Sequence, residues 1–273
     1  MKNFPLFLST LFLAILILFG NPGVSAAYAD EVVPESAASL SPEIAPIVQQ
    51  IRNAMWGKNR ALYMEQTMKM SSSLFGEKIM KSRGWTKLPN KSRYEVIEPA
   101  DMASTFISNG KDTIYINNKG EVYRPNNQQR AQSSYQQDFT QFFEEFDMAQ
   151  KPGGGDGFVT LQGTPRKGSM FEKSFKELEF VIDSARHLVT QQTLIPKDAP
   201  FVTVANFTYG AGGFPKLVEF TMKPRSAQTS KSDDPMAGFM AEMMKKTETH
   251  IQITTTKLER YPDLPDSTFE LGK

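Results

Sequence analysis

Cysteine is absent from all 273 residues. That excludes disulfides, thiolate catalysis, Cys-ligated zinc and a lipid-modified cysteine behind a leader. Histidine is almost absent, with only His187 and His250. Both fall in predicted strands, where a lone imidazole reads as a structural or surface residue. There is no H-E-x-x-H, and no carboxylate cluster has metal-ligand spacing, so no metal site is expected. No G-x-S-x-G elbow offers a serine nucleophile. No G-x-x-x-x-G-K-[ST] or helix-opening G-x-G-x-x-G exists, so the glycines of Lys151–Gly157 read as a loop or hinge and no nucleotide cofactor is expected. A charge excess is lacking too: 31 Lys and Arg face 30 Asp and Glu, interspersed along the chain. A basic face for nucleic acid is therefore not indicated. The chain does not read as an enzyme.

One long apolar run is present. Leu6–Phe19, about 14 residues behind Lys2, has the length of a signal-peptide core and falls short of the roughly 20 residues that span a bilayer. Gly20, Asn21, Pro22 and Gly23 break it. Small residues then stand at cleavage spacing, as Val24-Ser25-Ala26 or, closer to A-x-A, Ala27-Tyr28-Ala29. Residues 1–29 are thus predicted to be a signal peptide cleaved near Ala26–Ala29; an uncleaved anchor is the alternative. An exported chain without disulfides suits a bacterial periplasm. About 244 residues remain, read as a single domain, 30–273.

That domain is rich in short β-type runs. Lys91–Pro125 holds Tyr94–Ile97, Thr105–Ser108, Thr113–Asn117 and Glu121–Arg124, with turn residues Asn109-Gly110 and Asn118-Lys119-Gly120 between the later ones. Asn-Gly between such runs predicts a tight type I′ hairpin, whose central residues need positive φ. Upstream, Leu62–Met70 and Glu77–Leu88 read as strands. Downstream, Phe158–Leu161, Phe175–Asp183, His187–Leu194, Phe201–Tyr209, Lys216–Lys223 and His250–Leu258 do so as well. Regular short strands separated by turns predict a large antiparallel sheet or barrel.

Three stretches carry helical spacing. Ser41-Pro42-Glu43 offers a cap and first-turn proline for Ile44, Ile47, Val48, Ile51 and Met55, with Gly57 placed to end the helix; Pro46 allows a later start. Asp138 precedes Phe139, Phe142, Phe143 and Phe146, spaced as one stripe. Asp234-Pro235 precedes Met236, Phe239, Met240, Met243 and Met244, inside the insert 225–246. Each is either an ordinary core helix or a cover over an apolar cavity. Methionine adapts to varied partners, so the last is either a fixed cover or a movable lid.

This order of elements resembles the periplasmic outer-membrane lipoprotein carriers, the LolA-like group, and their relatives the outer-membrane lipoprotein-sorting proteins. The resemblance rests on Trp85–Pro89 through Arg93-Tyr94 and Pro99, and on Asn109-Gly110 with Tyr115. It rests also on Asp138–Phe146, on Val181-Ile182-Asp183, and on the closing Asp266–Leu271. It implies a mainly β fold: a large antiparallel open half-barrel with covering α-helices. It also implies an apolar interior that shelters acyl chains of a lipoprotein or lipid in transit. Partners would be the acylated cargo, an inner-membrane releasing transporter and an outer-membrane acceptor. By the resemblance, Arg93 matches a strand arginine that contacts the lid. The site expected on this basis is Arg93, Ile97, Phe106, Ile114 and Ile116 on the sheet, with Phe139, Phe142, Phe143, Phe146, Phe239, Met240 and Met243 in the cover. Alternation puts either Tyr94 and Val96 or Arg93 and Ile97 inward, and either Ile114 and Ile116 or Tyr115. If Arg93 reaches the lid, its own parity faces the cavity. A periplasmic regulatory or sensor module of the same fold is the alternative function.

Overall fold

A computed structural model describes residues 40–72, 76–124, 143–152, 155–169, 171–197, 201–210, 212–224 and 249–271. One α-helix, α1 (Ala45–Trp56), precedes a run of strands. They are β1 (Ala61–Ser72), β2 (Gly76–Lys87), β3 (Lys91–Glu98), β4 (Ser104–Ser108), β5 (Thr113–Ile116), β6 (Val122–Tyr123) and β7 (Phe146–Lys151). There follow β8 (Phe158–Pro165), β9 (Phe175–Asp183), β10 (Leu188–Pro196), β11 (Phe201–Tyr209), β12 (Pro215–Pro224) and β13 (Thr249–Tyr261).

All thirteen form one antiparallel sheet in the order β6-β5-β4-β3-β2-β1-β13-β12-β11-β10-β9-β8-β7. Two meanders, β1–β6 and β7–β13, are thus joined along β1 and β13, the one pair of neighbours not consecutive in sequence. That seam runs from Ala61 opposite Tyr261 to Ser72 opposite Thr249, with one bulge at Glu65/Gln66. Among the described residues the two edge strands, β6 and β7, do not pair with each other, so the sheet is open. The expected architecture is what the structure has: mainly β, antiparallel and unclosed, with one described helix laid on it.

Alternation explains why these residues form strands. On β9 Leu178, Phe180 and Ile182 are buried between more exposed neighbours, and on β12 Val218, Phe220 and Met222 do the same. A period of two keeps one face apolar along each strand. Turn chemistry then sets the ends. Asn109 does not make a two-residue type I′ turn; its Oδ1 accepts from the backbone N–H of Lys111 and Asp112, closing a four-residue loop in which Gly110 has φ 94°. The side chain mimics a backbone turn, and this outcompetes the tighter hairpin. Asn117 repeats the device on Lys119 and Glu121, and Asp183 on Ala185 and Arg186. His187 lies in that last turn, at φ 56°, and not within the strand expected there.

Helix α1 begins at Ala45, the later of the two expected starts. Ser41–Ile44 is a turn whose Ser41 carbonyl accepts from the N–H of Ile44 and Ala45. Gly57, at φ 57°, ends the helix as expected, donating to the Asn53 carbonyl. The second helix, over Asp138–Phe146, is corrected at its end. Residues 143–145 form a 3-10 turn and Phe146 opens β7. The i, i+3, i+4, i+7 spacing of the phenylalanines imitates a helix. Yet Phe146 and Met148 turn inward between exposed neighbours, and with Gln150 they pair in register with Pro165, Gly163 and Leu161 of β8. The expected signal segment 1–29, Phe139, Phe142 and residues 225–246 with Phe239, Met240 and Met243 lie outside the described residues.

Candidate ligand-binding face

The two faces of the sheet follow from the register, strand by strand. Helix α1 buries Val48, Ile51, Met55 and Trp56 in one cluster with Leu62, Leu161, Leu178, Phe180, Ile182, Val189 and Leu194. These residues define the helix face. Pairing carries it onward: Phe180 opposes Gln192, Gln192 opposes Ala205, Ala205 opposes Phe220, Phe220 opposes Ile251, and Ile251 opposes Met70. From β1 it continues as Met64, Gly84, Tyr94, Phe106 and Tyr115. A second apolar cluster lies along this face: Phe201, Ala205, Val218, Phe220, Met222, Ile251 and Ile253, with Met68, Met70 and Phe207 against it. Among the described residues its members come from β1, β11, β12 and β13.

Glycines shape this face at two places. The Tyr94 ring lies on Gly84, where an added Cβ would stand 3.3 Å from the ring. Met148 lies across Gly163, where a Cβ would meet its sulfur at 2.2 Å. Burial pushes the Tyr94 phenol up to about 12.

The open parity question is thereby settled. Tyr94, Val96, Phe106 and Tyr115 share the helix face; Arg93, Ile107, Ile114 and Ile116 point to the other. Of the expected sheet residues only Phe106, 4% exposed, stands on the helix face. Ile114 is buried on the outer face opposite Ile107, and Ile116 opposes Thr105 there. Ile97 is the extra residue at the bulge between β2 and β3 and is 46% exposed. Phe143 and Phe146 do face inward. Phe143 packs at 4.5 Å between centroids on Phe180, and Phe146 at 5.5 Å on Phe171. They belong to the core beneath α1.

Arg93 is held on the outer face by its own strand. Its Nε donates to Glu95 Oε1 at 2.8 Å, and Arg83 Nε donates to Glu95 Oε2 at 2.6 Å. Both guanidiniums flank the Trp85 ring, at 5.3 Å for Arg83 and 5.7 Å for Arg93. The residue two positions along a strand shares its face, so Glu95 captures Arg93 away from the helix. The arginine beside the helix is instead Arg260, opposite Leu62 across β1 and β13. Its Cζ sits 5.5 Å over Phe214, which meets Trp56 of α1 edge-on at 5.3 Å. Nothing local in the sequence marked it: the pairing of β1 with β13 puts Arg260 in the row of buried Leu62.

Several polar groups on the helix face lack partners. Gln192, 1% exposed, has neither Oε1 nor Nε2 hydrogen-bonded. Trp56 Nε1 and Arg260 Nε and Nη2 are likewise buried without acceptors. Among the described residues no group of His, Asp and Glu is placed to hold a metal ion. No described helix is long and apolar enough to cross a membrane.

No protein-family model matches the sequence, and no curated protein does. Solved structures do match. A LolA superfamily protein from Nitrosomonas europaea superposes with a TM-score of 0.54 at 10% identity, over 83% of this chain and 96% of that one. The fold is LolA-like. An outer membrane lipoprotein-sorting protein domain from Vibrio parahaemolyticus gives 0.54 at 12% identity, over 82% of this chain and 94% of that one. A DUF1329 family protein from Desulfovibrio piger gives 0.54 at 13%, over 83% and 95%. At these identities the LolA-like likeness is one of fold.

Proposed function

We propose that the protein is a non-enzymatic periplasmic carrier that binds the acyl chains of a lipoprotein or lipid on the helix face of its sheet. The observation that carries this reading is the second apolar cluster. It extends the helix face beyond α1, and among the described residues its members belong to the sheet. The LolA-like fold, shared with a lipoprotein-sorting domain, supports the same reading. Each CH2 moved from water to such a surface gains about 0.8 kcal/mol, so a long chain does not cross an aqueous space unescorted. An inner-membrane releasing transporter and an outer-membrane acceptor are the partners such a role requires. Residues 1–29 serve as the export signal, and 30–273 act as one carrier domain. In this reading Phe106 and Tyr94 contact the chain, while Arg93, Ile97, Ile114 and Ile116 do not. The contribution of Phe139, Phe142, Phe239, Met240 and Met243 as cover residues stays part of the proposal.

The test is direct. The protein purified from its native compartment is extracted with organic solvent for mass spectrometry, and the delipidated protein is titrated with an apolar fluorescent probe. Co-purifying acyl lipid and saturable probe uptake are expected. No lipid and no uptake would overturn the proposal.

A further inference from the structure

The helix face has a polar end. Arg260, Leu62, Thr86, Ser92, Ser108 and Thr113 oppose one another in register from β13 to β5. The next row inward is apolar and aromatic, running Leu258, Met64, Gly84, Tyr94, Phe106 and Tyr115. A row that is polar at every position but Leu62, beside an apolar one, is the pattern an amphiphile matches, with its head on the first and its chain on the second.

The polar row holds an unusual gap in hydrogen bonding. Arg260 Nε and Nη2 and Trp56 Nε1 are buried and have no acceptor. All three are donors. They meet around one ring, Phe214, with Arg260 above it and Trp56 against its edge. Glu259, the adjoining acid, belongs to the outer face and is taken by Lys257 and Tyr261. A guanidinium stays charged at any ordinary pH, and leaving its N–H groups buried without partners is costly. Three unpartnered donors, two of them on a cationic group, call for an acceptor that is anionic.

We propose that Arg260, with Trp56, binds the anionic oxygen head of an amphiphile, a carboxylate or phosphate, whose chain lies on the adjoining apolar row. This rests on the carrier reading and narrows it: cargo is selected by its head as well as its chain. Gly212 leaves room beside the guanidinium, since a Cβ there would stand 3.3 Å from Arg260 Nη2.

Three sixteen-carbon ligands test it by competition against a bound fluorescent probe: palmitate, hexadecyl phosphate and hexadecanol. At least one anion should bind about tenfold or more tighter than the alcohol, and the tighter of the two names the head chemistry. Arg260→Gln should bring the anion-to-alcohol ratio close to one. Trp56→Phe, which keeps the ring and removes the donor, should lower it severalfold and serves if Arg260→Gln does not fold. Arg83→Gln on the outer face should leave the ratio as it is. An alcohol that binds as well as both anions, or a ratio unchanged in both site variants, overturns the head site while the carrier reading stands. If none of the three binds, the carrier reading itself falls.

Discussion

Gly213 rests its bare α-carbon against the carbonyl of Ala54, so that a Cβ at Gly213 would stand 1.9 Å from that oxygen. The loop between β11 and β12 thereby touches the last turn of α1 backbone to backbone. With the Trp56–Phe214 edge contact beside it, this is where the helix is seated on the sheet.

Gly213→Ala should therefore unseat the end of α1, because backbone cannot yield as a flexible side chain can. The overpacking should cost about 1–3 kcal/mol, and each kcal/mol lowers Tm by roughly 2–4 °C in a domain of this size. If α1 covers the ligand face, probe uptake should become faster as Tm falls. Thermal melts and stopped-flow probe binding check both; an unchanged Tm would mean that the seat is elsewhere.

Gln192→Met should stabilise the unliganded protein. The side chain keeps its approximate volume, while two buried polar atoms without partners are removed. The gain should be about 1–3 kcal/mol, read as a higher Tm in calorimetry. A lower Tm would show that the amide is satisfied, for instance by a buried water.

Arg93→Ala should leave apolar probe affinity within about twofold of wild type, because its guanidinium is spent on Glu95 and Trp85 on the outer face. Loss of probe binding in this variant, with the fold intact by circular dichroism, would place the ligand on the other face.

The C-terminal segment should detach at both extremes of pH. Lys87 donates to Asp266 at 2.7 Å and to the Leu264 carbonyl at 2.8 Å, and Lys91 pairs with the other Asp266 oxygen at 2.7 Å. These bonds, Lys87's first, hold the Asp266 carboxyl down to about 2. Its contribution is complete above the ordinary carboxylate range and is lost as pH falls from about 4 through 2. Lys87 is raised, chiefly by Asp266 and then Asp263. Its contribution is complete below the ordinary lysine range and fades as pH rises beyond about 10.4. The hydrogen-exchange protection factors of Thr268 and Glu270, whose amides donate within the closing 3-10 turn, should fall in both windows. In Asp266→Asn the protection should already be low at pH 7 and constant between pH 4 and 2.

Most strands were legible from local pattern alone. Phe175–Asp183 and Phe201–Tyr209 are strands over the ranges their alternation predicts. Gly57 ends α1, and the asparagines mark loops, because turns and caps depend on a few neighbouring residues. The strand at Phe146–Lys151 was not legible. Four phenylalanines at helical spacing outweighed a short Phe146-Met148-Gln150 alternation, and β8 as a pairing partner decided the matter.

By itself, the sequence determined an antiparallel β protein without cysteine chemistry or a metal motif, with one apolar face per strand. Alternation has a period of two, so it says that one parity is buried and is silent on which of two balanced parities it is. On β3 both Tyr94 with Val96 and Arg93 with Ile97 satisfied it. Only the tertiary structure chose, by running the register from the helix-packed strands through Met64 and Gly84 to Tyr94. The same long-range pairing of β1 with β13 set Arg260 beside Leu62, 198 residues away in the chain, and so put a guanidinium at the end of the helix face. Contacts of that separation leave no local trace in a sequence.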